Sequence, residues 1–209
     1  MRILGGKYKY RELFSPKGDS VRPTGARVRQ VLFDVLRPQI EDASFLDLFA
    51  GSGVVGIEAL SMGARVIFCD IDTRYVKKNL QHIGESEGGV FSGSFEEFAS
   101  GGLANGGLTN SSLANSSLMN GGLDWAGSGF DFIYVDPPFK KPDYYKKVLE
   151  VIAKNGLLAK GIQGEQAGGG QVILECDSKL DVTKVLADKF IVVKEKKVGS
   201  VRLLFLEYA

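Results

Sequence analysis

A chain of 209 residues, 44% hydrophobic and 24% charged, can bury one full core, and 26 basic against 25 acidic side chains leave a net charge of +1. No apolar run approaches the roughly 18 residues of a membrane span, and the opening MRILGGKYKYRELF lacks a signal peptide's apolar core, so a cytoplasmic protein with no membrane partner is expected. Cys69 and Cys176 stand alone in apolar segments with one histidine, His82, in the chain, which argues against structural zinc, any other metal site and a disulfide framework.

The charge is unevenly spread. Residues 1–40 hold nine basic side chains against three acidic ones, a segment of +6 that leaves −5 for the rest. A basic arm on a slightly acidic body suits a polyanionic partner, although a solvated charged face has the same composition. Within the arm, MRILGGKYKYRELF alternates polar and apolar residues around Gly5 and Gly6 and reads as a small hairpin. RPTGARVRQVLFDVL follows as a helix, with start signals at Pro23 and Thr24 and apolar residues from Val28 to Leu36 at helical spacing, its Arg27 and Arg29 side turned from the core.

From Ser44 strands and helices alternate: SFLDLF, a glycine turn and GIEALSMG; RVIFCD and TRYVKKNLQHI; GVFSGS; FDFIYVD and YYKKVLEVIAKNGLL; QVILECD and VTKVLAD; then KFIVVKEKKVGSVRLLFLEY as a closing hairpin. The pattern predicts an α/β fold, a doubly wound, mainly parallel seven-stranded sheet with a C-terminal antiparallel hairpin. Residues 1–43 form a basic hairpin-helix appendage and 44–209 the main domain. Two stretches interrupt it. Residues 101–125 read GGLAN GGLTN SSLAN SSLMN GGLDW, a five-residue period too poor in apolar side chains to make a solenoid, so a flexible insertion over 100–129 is expected. Residues 161–170 form a second glycine-rich loop.

FLDLFAGSGVVGIEAL contains GxGxxG at Gly51, Gly53 and Gly56, between a strand and a helix. Glycines permit the tight turn and let a ligand approach N–H groups at a helix N-terminus, and Asp70, ending the next strand, is placed to accept ribose hydroxyls. This fits NAD as well as S-adenosylmethionine. Asp47, an acid inside the first strand, is poorly suited to a pyrophosphate and well suited to an ammonium and sulfonium.

YVDPPF carries the second half of the argument. Proline fixes φ, lacks an N–H and holds the preceding residue extended, so Pro137 and Pro138 stiffen Asp136 at a strand's end. For an isolated Asp-Pro a plain turn is the better reading. Beside a methyl donor, Asp136 can instead accept one hydrogen of an exocyclic base amine, the Pro137 carbonyl the other, and Phe139 can stack on the base. Lys140 and Lys141 are placed to meet phosphate, one of Tyr144 and Tyr145 to pack in the core, and His82 to be exposed.

Together, LDLFAGSGVVGIEALSMGA, YVDPPF and RPTGARVRQVLFDVL resemble the RsmD-like family, bacterial small-subunit (16S) ribosomal RNA guanine-N2 methyltransferases, over the whole chain apart from its two inserts. The resemblance implies a Rossmann-like class I methyltransferase that uses S-adenosylmethionine on the 2-amino group of one guanine in 16S rRNA, within a small-subunit particle, and acts as a monomer. It implies cofactor contacts at Asp47, Gly51, Gly53, Asp70, Ser94 and Phe95, catalytic positions at Asp136, Pro137, Pro138 and Phe139, and RNA contacts at Arg22, Thr24, Arg27 and Arg29. Ser94 stands where the family usually has an acidic residue reaching the adenine, and weaker cofactor binding is expected. DPPF is shared with DNA adenine-N6 methyltransferases; that activity, a binding protein that has lost catalysis, and an NAD oxidoreductase are the alternatives.

Overall fold

A computed structural model describes residues 1–15, 24–85, 88–102, 129–138, 142–160, 169–186 and 188–209. Seven strands form one sheet: β1 (Ser44–Asp47), β2 (Arg65–Asp70), β3 (Gly89–Ser92), β4 (Phe132–Val135), β5 (Gln171–Asp177), β6 (Phe190–Val198) and β7 (Val201–Tyr208). Their order is β3-β2-β1-β4-β5-β7-β6. The first five are parallel, while β7 runs antiparallel to both β5 and β6. The strand order reverses direction between β1 and β4, the crevice where open parallel sheets bind ligands.

Helices cover both faces. α1 (Ala26–Leu36), α2 (Val54–Ser61) and α3 (Arg74–Ile83) lie over the face that carries Phe45, Phe68, Phe132, Tyr134, Ile173, Leu203 and Phe205. α5 (Pro142–Lys154) lies over Leu46, Ile133, Val135, Leu174, Leu204 and Leu206, and the one-turn α4 (Phe95–Glu97) adds Phe95 to that side. α1 buries Val28, Leu32, Phe33 and Leu36, the helical spacing read in the sequence, each worth about 1.5–3 kcal/mol of transfer free energy. All eight residues of α2 are buried, which matches its apolar composition. α3 stops at Gly84, left-handed at φ 74°, whose N–H closes the last turn.

Ile3, Tyr8 and Leu13 belong to the core under α1 and α2, so the N-terminal arm shares the main hydrophobic cluster. The arm folds back on itself through an Arg2–Glu12 antiparallel bridge, and Lys7 N–H donates to the Ser61 carbonyl at 2.7 Å. Gly6, at φ 74°, lies so close to that carbonyl that a Cβ would meet it at 1.8 Å. Cys69 and Cys176 are buried free thiols, and His82 is exposed with its ring edge against Phe14. No helix among the described residues is long and apolar enough to cross a membrane.

Three expectations are corrected. Among its described residues VTKVLAD forms only a single 3₁₀ turn, Val182–Lys184: Asp181 caps it by accepting from Thr183 N–H, and one short turn fixes too many dihedrals for its few bonds to grow into a helix here. α1 begins at Ala26 behind Gly25 rather than at Thr24. Arg29 points inward, 2% exposed, because Glu58 of α2 needs a cation: Nε donates to the Glu58 carboxylate at 2.9 Å, and the two terminal nitrogens donate to the carbonyls of Thr24 and Arg2. The 103–128 repeat, the 161–168 part of the glycine-rich loop, Arg22 and Pro23, and Phe139, Lys140 and Lys141 lie outside the described residues.

Candidate active site

Parallel strands deliver their C-terminal ends to one rim, and three carboxylates arrive there. Asp47 ends β1, Asp70 ends β2 and Asp136 follows β4. Period-two alternation puts all three on the face covered by α1, α2 and α3, because Asp47 is two residues from Phe45, Asp70 from Phe68 and Asp136 from Tyr134. The structure thus brings together the three acids that the sequence spaced over 90 positions.

Asp70 and Asp47 are each held by backbone. Asp70 Oδ2 accepts from Gly51 N–H at 2.7 Å and its Oδ1 from Asp72 N–H at 2.8 Å, which pins the glycine loop to the neighbouring strand. Asp47 Oδ2 accepts from Gly56 N–H at 2.9 Å across the same loop. At 1% exposure, Asp47 has its carboxyl pushed up to about 7, mainly by burial and further by the charges of Asp70 and Asp136, against the opposing pull of the Gly56 bond. A cation in the rim would restore its ionised form.

The three glycines do different work. Gly51, at φ 54°, has nothing among the described residues within 4 Å of where a Cβ would stand, so its open side faces the crevice. Gly53 is the left-handed N-cap of α2 at φ 78°. Gly56 is a packing residue: a Cβ there would lie 2.3 Å from Phe68 Cε1 and 3.1 Å from Asp47 Oδ2. The loop therefore sits close to β2, its Gly51 N–H donating to Asp70 and its Gly53 N–H to the Ala50 carbonyl.

Asp136 is half-buried, Pro137 buried and Pro138 exposed. Behind them, the buried Tyr134 hydroxyl donates to the Glu175 carboxylate and also hydrogen-bonds the Thr24 side chain, and Tyr145 donates to the Glu175 carbonyl at 3.0 Å. Burial above all, and the Glu175 charge, hold the Tyr134 phenol well above its usual range, so it serves as a fixed donor. The Asp-Pro-Pro segment is in this way braced against β5, α5 and the start of α1. Arg27, the second residue of α1, is exposed.

On the opposite side of the rim Phe49, Phe95 and Tyr144 form a triangle with ring centroids 5.5, 5.9 and 6.2 Å apart. Phe95 is buried, whereas Phe49 and Tyr144 are half-exposed. Tyr145, fully buried, is the core tyrosine of the pair. Ser94 is the N-cap of α4: its hydroxyl accepts from Glu97 N–H at 3.2 Å and faces the Glu97 carboxylate at 3.0 Å, while Ser94 N–H donates to that carboxylate at 2.8 Å. That reciprocal cap is what the residue does in the fold.

Sequence reading passed over Phe49, Asn79 and Glu175. Asn79 is 0% exposed; its amide donates to the carbonyls of Phe14 and Ser52 at 2.9 and 2.8 Å and accepts from Phe14 N–H at 2.7 Å. It ties the basic arm to the glycine loop. Its position three residues after Val76, on the apolar face of α3, was the available signal.

No group of His, Cys, Asp or Glu among the described residues is arranged to hold a metal ion. What the rim offers is negative charge beside a glycine loop with open space at Gly51, a setting for a ligand with both cationic and hydroxyl groups.

The chain matches the family model described as Conserved hypothetical protein 95 over residues 1–106 and 108–207. It is 32% identical over 163 residues to "Ribosomal RNA small subunit methyltransferase D" of Escherichia coli, 76% of this chain and 70% of that protein. It is 29% identical over 199 residues to YlbH of Bacillus subtilis, 93% and 92% of the two chains. Among solved structures, yhhF of Escherichia coli superposes with a TM-score of 0.72 at 25% identity, covering 100% of this chain and 97% of that one. TTHA0928 of Thermus thermophilus superposes at 0.71 with 25% identity and 99% coverage of both.

Proposed function

The chain belongs to the RsmD-like methyltransferase family, and on that premise we propose that it transfers a methyl group from S-adenosylmethionine to the 2-amino group of a guanine in 16S ribosomal RNA. The observation that carries the reading is the convergence of Asp47, Asp70 and Asp136 on one rim and one face of the sheet. Such a site repels a phosphate-bearing dinucleotide and favours a cation. When bound, S-adenosylmethionine supplies an electrophilic methyl group on a sulfonium.

The chain's own residues do the rest. Asp47, buried and partly neutralised by its proton, gains an ionic partner at the cofactor's charged end. Asp70 holds the glycine loop and keeps lone pairs for ribose hydroxyls, Gly51 and Gly53 leave room for close approach, and Phe95, with Phe49 and Tyr144 beside it, forms an apolar wall. Ser94 contributes by shaping that wall through its cap on α4 rather than by an acidic contact. Asp136 accepts one hydrogen of the guanine amine and the Pro137 carbonyl the other, which turns the nitrogen lone pair toward the methyl group. Pro137 and Pro138 fix this geometry, and Phe139 completes the platform under the base. Orientation of this kind is worth about 7–11 kcal/mol of barrier, and proton acceptance by Asp136 adds about 10²- to 10⁴-fold.

The RNA reaches the site over the start of α1, where Thr24 and the exposed Arg27 lie, and Arg22 is a further RNA contact in this reading. Arg29, neutralised by Glu58, supports that surface from beneath. A target guanine in a loop, or one extruded from a helix, can reach such a site. The protein works as a monomer on the small subunit in the cytoplasm.

The test is transfer of labelled methyl to small ribosomal subunits that lack their own methylation, with duplex DNA in parallel and nucleoside analysis of the product. N2-methylguanosine, lost in Asp136→Ala with melting temperature retained, is the expected result. Methyladenine in the DNA, or full activity of Asp136→Ala, overturns it.

A further inference from the structure

We propose that the edge strand β6 carries a second, phosphate-binding arm of the RNA interface, formed by Lys194 and Lys196; this rests on the RNA-directed reading above. Both β5 and β6 run antiparallel to β7, so the C-terminal half of β6 points to the rim where Asp136 stands. The register makes the placement specific. Val135 pairs with Leu174, so Asp136 falls at the level of Glu175; Glu175 pairs with Leu203, and Leu203 with Lys196. Lys196 therefore stands level with Asp136, three strand spacings away, or about 14 Å.

The face is also the catalytic one. Lys196 and Lys194 pair with Leu203 and Phe205, which pack under α1 with Phe132 and Tyr134, so both lysines project on the side of the sheet that carries the three rim carboxylates. They are exposed, and among the described residues no ion pair engages them. The intervening Glu195 belongs to the other face, where Arg202 holds it at 3.4 Å. Two residues along a strand put the ammonium groups about 6–7 Å apart, close to the separation of neighbouring phosphates on a single strand.

Lysines on an edge strand also deter edge-to-edge pairing. On β6, however, the exposed apolar residues are Ile191, Val192 and Val193, in the other half of the strand and at its register irregularity, whereas the lysines gather at the rim. The rim itself holds three carboxylates that repel a polyanion. A nucleic acid lowered onto it needs cations on its flanks, with Arg27 over the start of α1 and Lys194 and Lys196 beyond it.

The experiment measures binding of a short labelled single-stranded oligoribonucleotide to the full chain between 50 and 200 mM salt. Wild type, Lys194→Gln/Lys196→Gln and a control, Lys154→Gln/Lys189→Gln, are compared; the control lysines are exposed at the opposite end of the fold. Two lost phosphate contacts reduce the slope of log affinity against log salt by about 1.4, so wild type loses about sevenfold more affinity than the variant over that range. The control keeps the wild-type slope, and the melting-temperature rise with S-adenosylmethionine is equal in all three. An unchanged slope in Lys194→Gln/Lys196→Gln, an equal loss in the control, or no RNA binding by wild type overturns the proposal. Methyl transfer to small subunits is read separately: wild type that binds RNA with the expected slope difference but methylates nothing refutes the function and leaves the lysine arm standing.

Discussion

Replacing Arg29 by methionine tests whether this arginine is a strut or an RNA contact. The guanidinium is 2% exposed and the Glu58 side chain 1%, with Nε and Oε2 2.9 Å apart. Methionine keeps much of the stem's volume and removes the charge, which strands a carboxylate whose remaining donor is Leu4 N–H at 2.7 Å. Breaking one side of a buried pair costs about 3–5 kcal/mol, a large share of a total near 5–15 kcal/mol. For a chain of this size about 2–4 °C of melting temperature accompanies each kcal/mol, so the variant melts about 6–20 °C lower. The double variant Arg29→Met/Glu58→Leu removes both charges and recovers most of the loss, short of the Leu4 bond and the two bonds from Arg29 to the Thr24 and Arg2 carbonyls. Arg27→Ala, at an exposed position, stays within about 0.5 kcal/mol of wild type and loses RNA affinity instead. Thermal melts followed by circular dichroism, with RNA binding measured well below the transition, separate the two. An Arg29→Met protein that melts within 2 °C of wild type, or that weakens RNA binding with stability intact, refutes the reasoning.

Three further outcomes follow from the site. Gly56→Ala places a methyl 2.3 Å from Phe68 Cε1 and costs about 1–3 kcal/mol in urea unfolding by overpacking, whereas Gly51→Ala meets open space and loses cofactor affinity beyond its modest left-handed strain of about 1–2 kcal/mol. Asp47 carries a folded-state carboxyl near 7 against about 3.9 unfolded, so the folded protein binds the extra proton between those values and this residue's contribution to stability falls as pH rises from about 4 to 7, then levels. The wild-type minus Asp47→Asn difference in urea melts isolates that trend, and calorimetry shows S-adenosylmethionine affinity rising through pH 7 in wild type but not in the variant. Asn79→Ala strands the Phe14 and Ser52 backbone groups, lowering stability by about 1–3 kcal/mol and weakening cofactor binding through the loop that Asn79 anchors.

The α/β class, most of the succession of strands and helices and the ends at which chemistry sits were legible in the sequence, VTKVLAD excepted, because they follow from local rules: period-two and period-3.6 patterns, glycines after a strand, prolines after Asp136. Asp70 and Asp136 were placed at strand ends for the same reason, whereas Asp47, read as lying inside the first strand, closes it. Which face each acid takes, and that all three share it, came from tertiary packing, since alternation fixes a face only once register with the neighbouring strands is known. Arg29 and Arg27 lie two positions apart and look alike in a basic segment; packing against α2, with Glu58 buried beneath, sends one inward and leaves the other in solvent. Asn79, within a polar run, acquires its role from Phe14 and Ser52, partners distant in sequence that the local pattern does not specify, whereas the Ser94–Glu97 cap is a three-residue spacing that the sequence contains. Lys194 and Lys196 likewise take their place through two antiparallel pairings, which carry β6 back so that Lys196 stands level with Asp136.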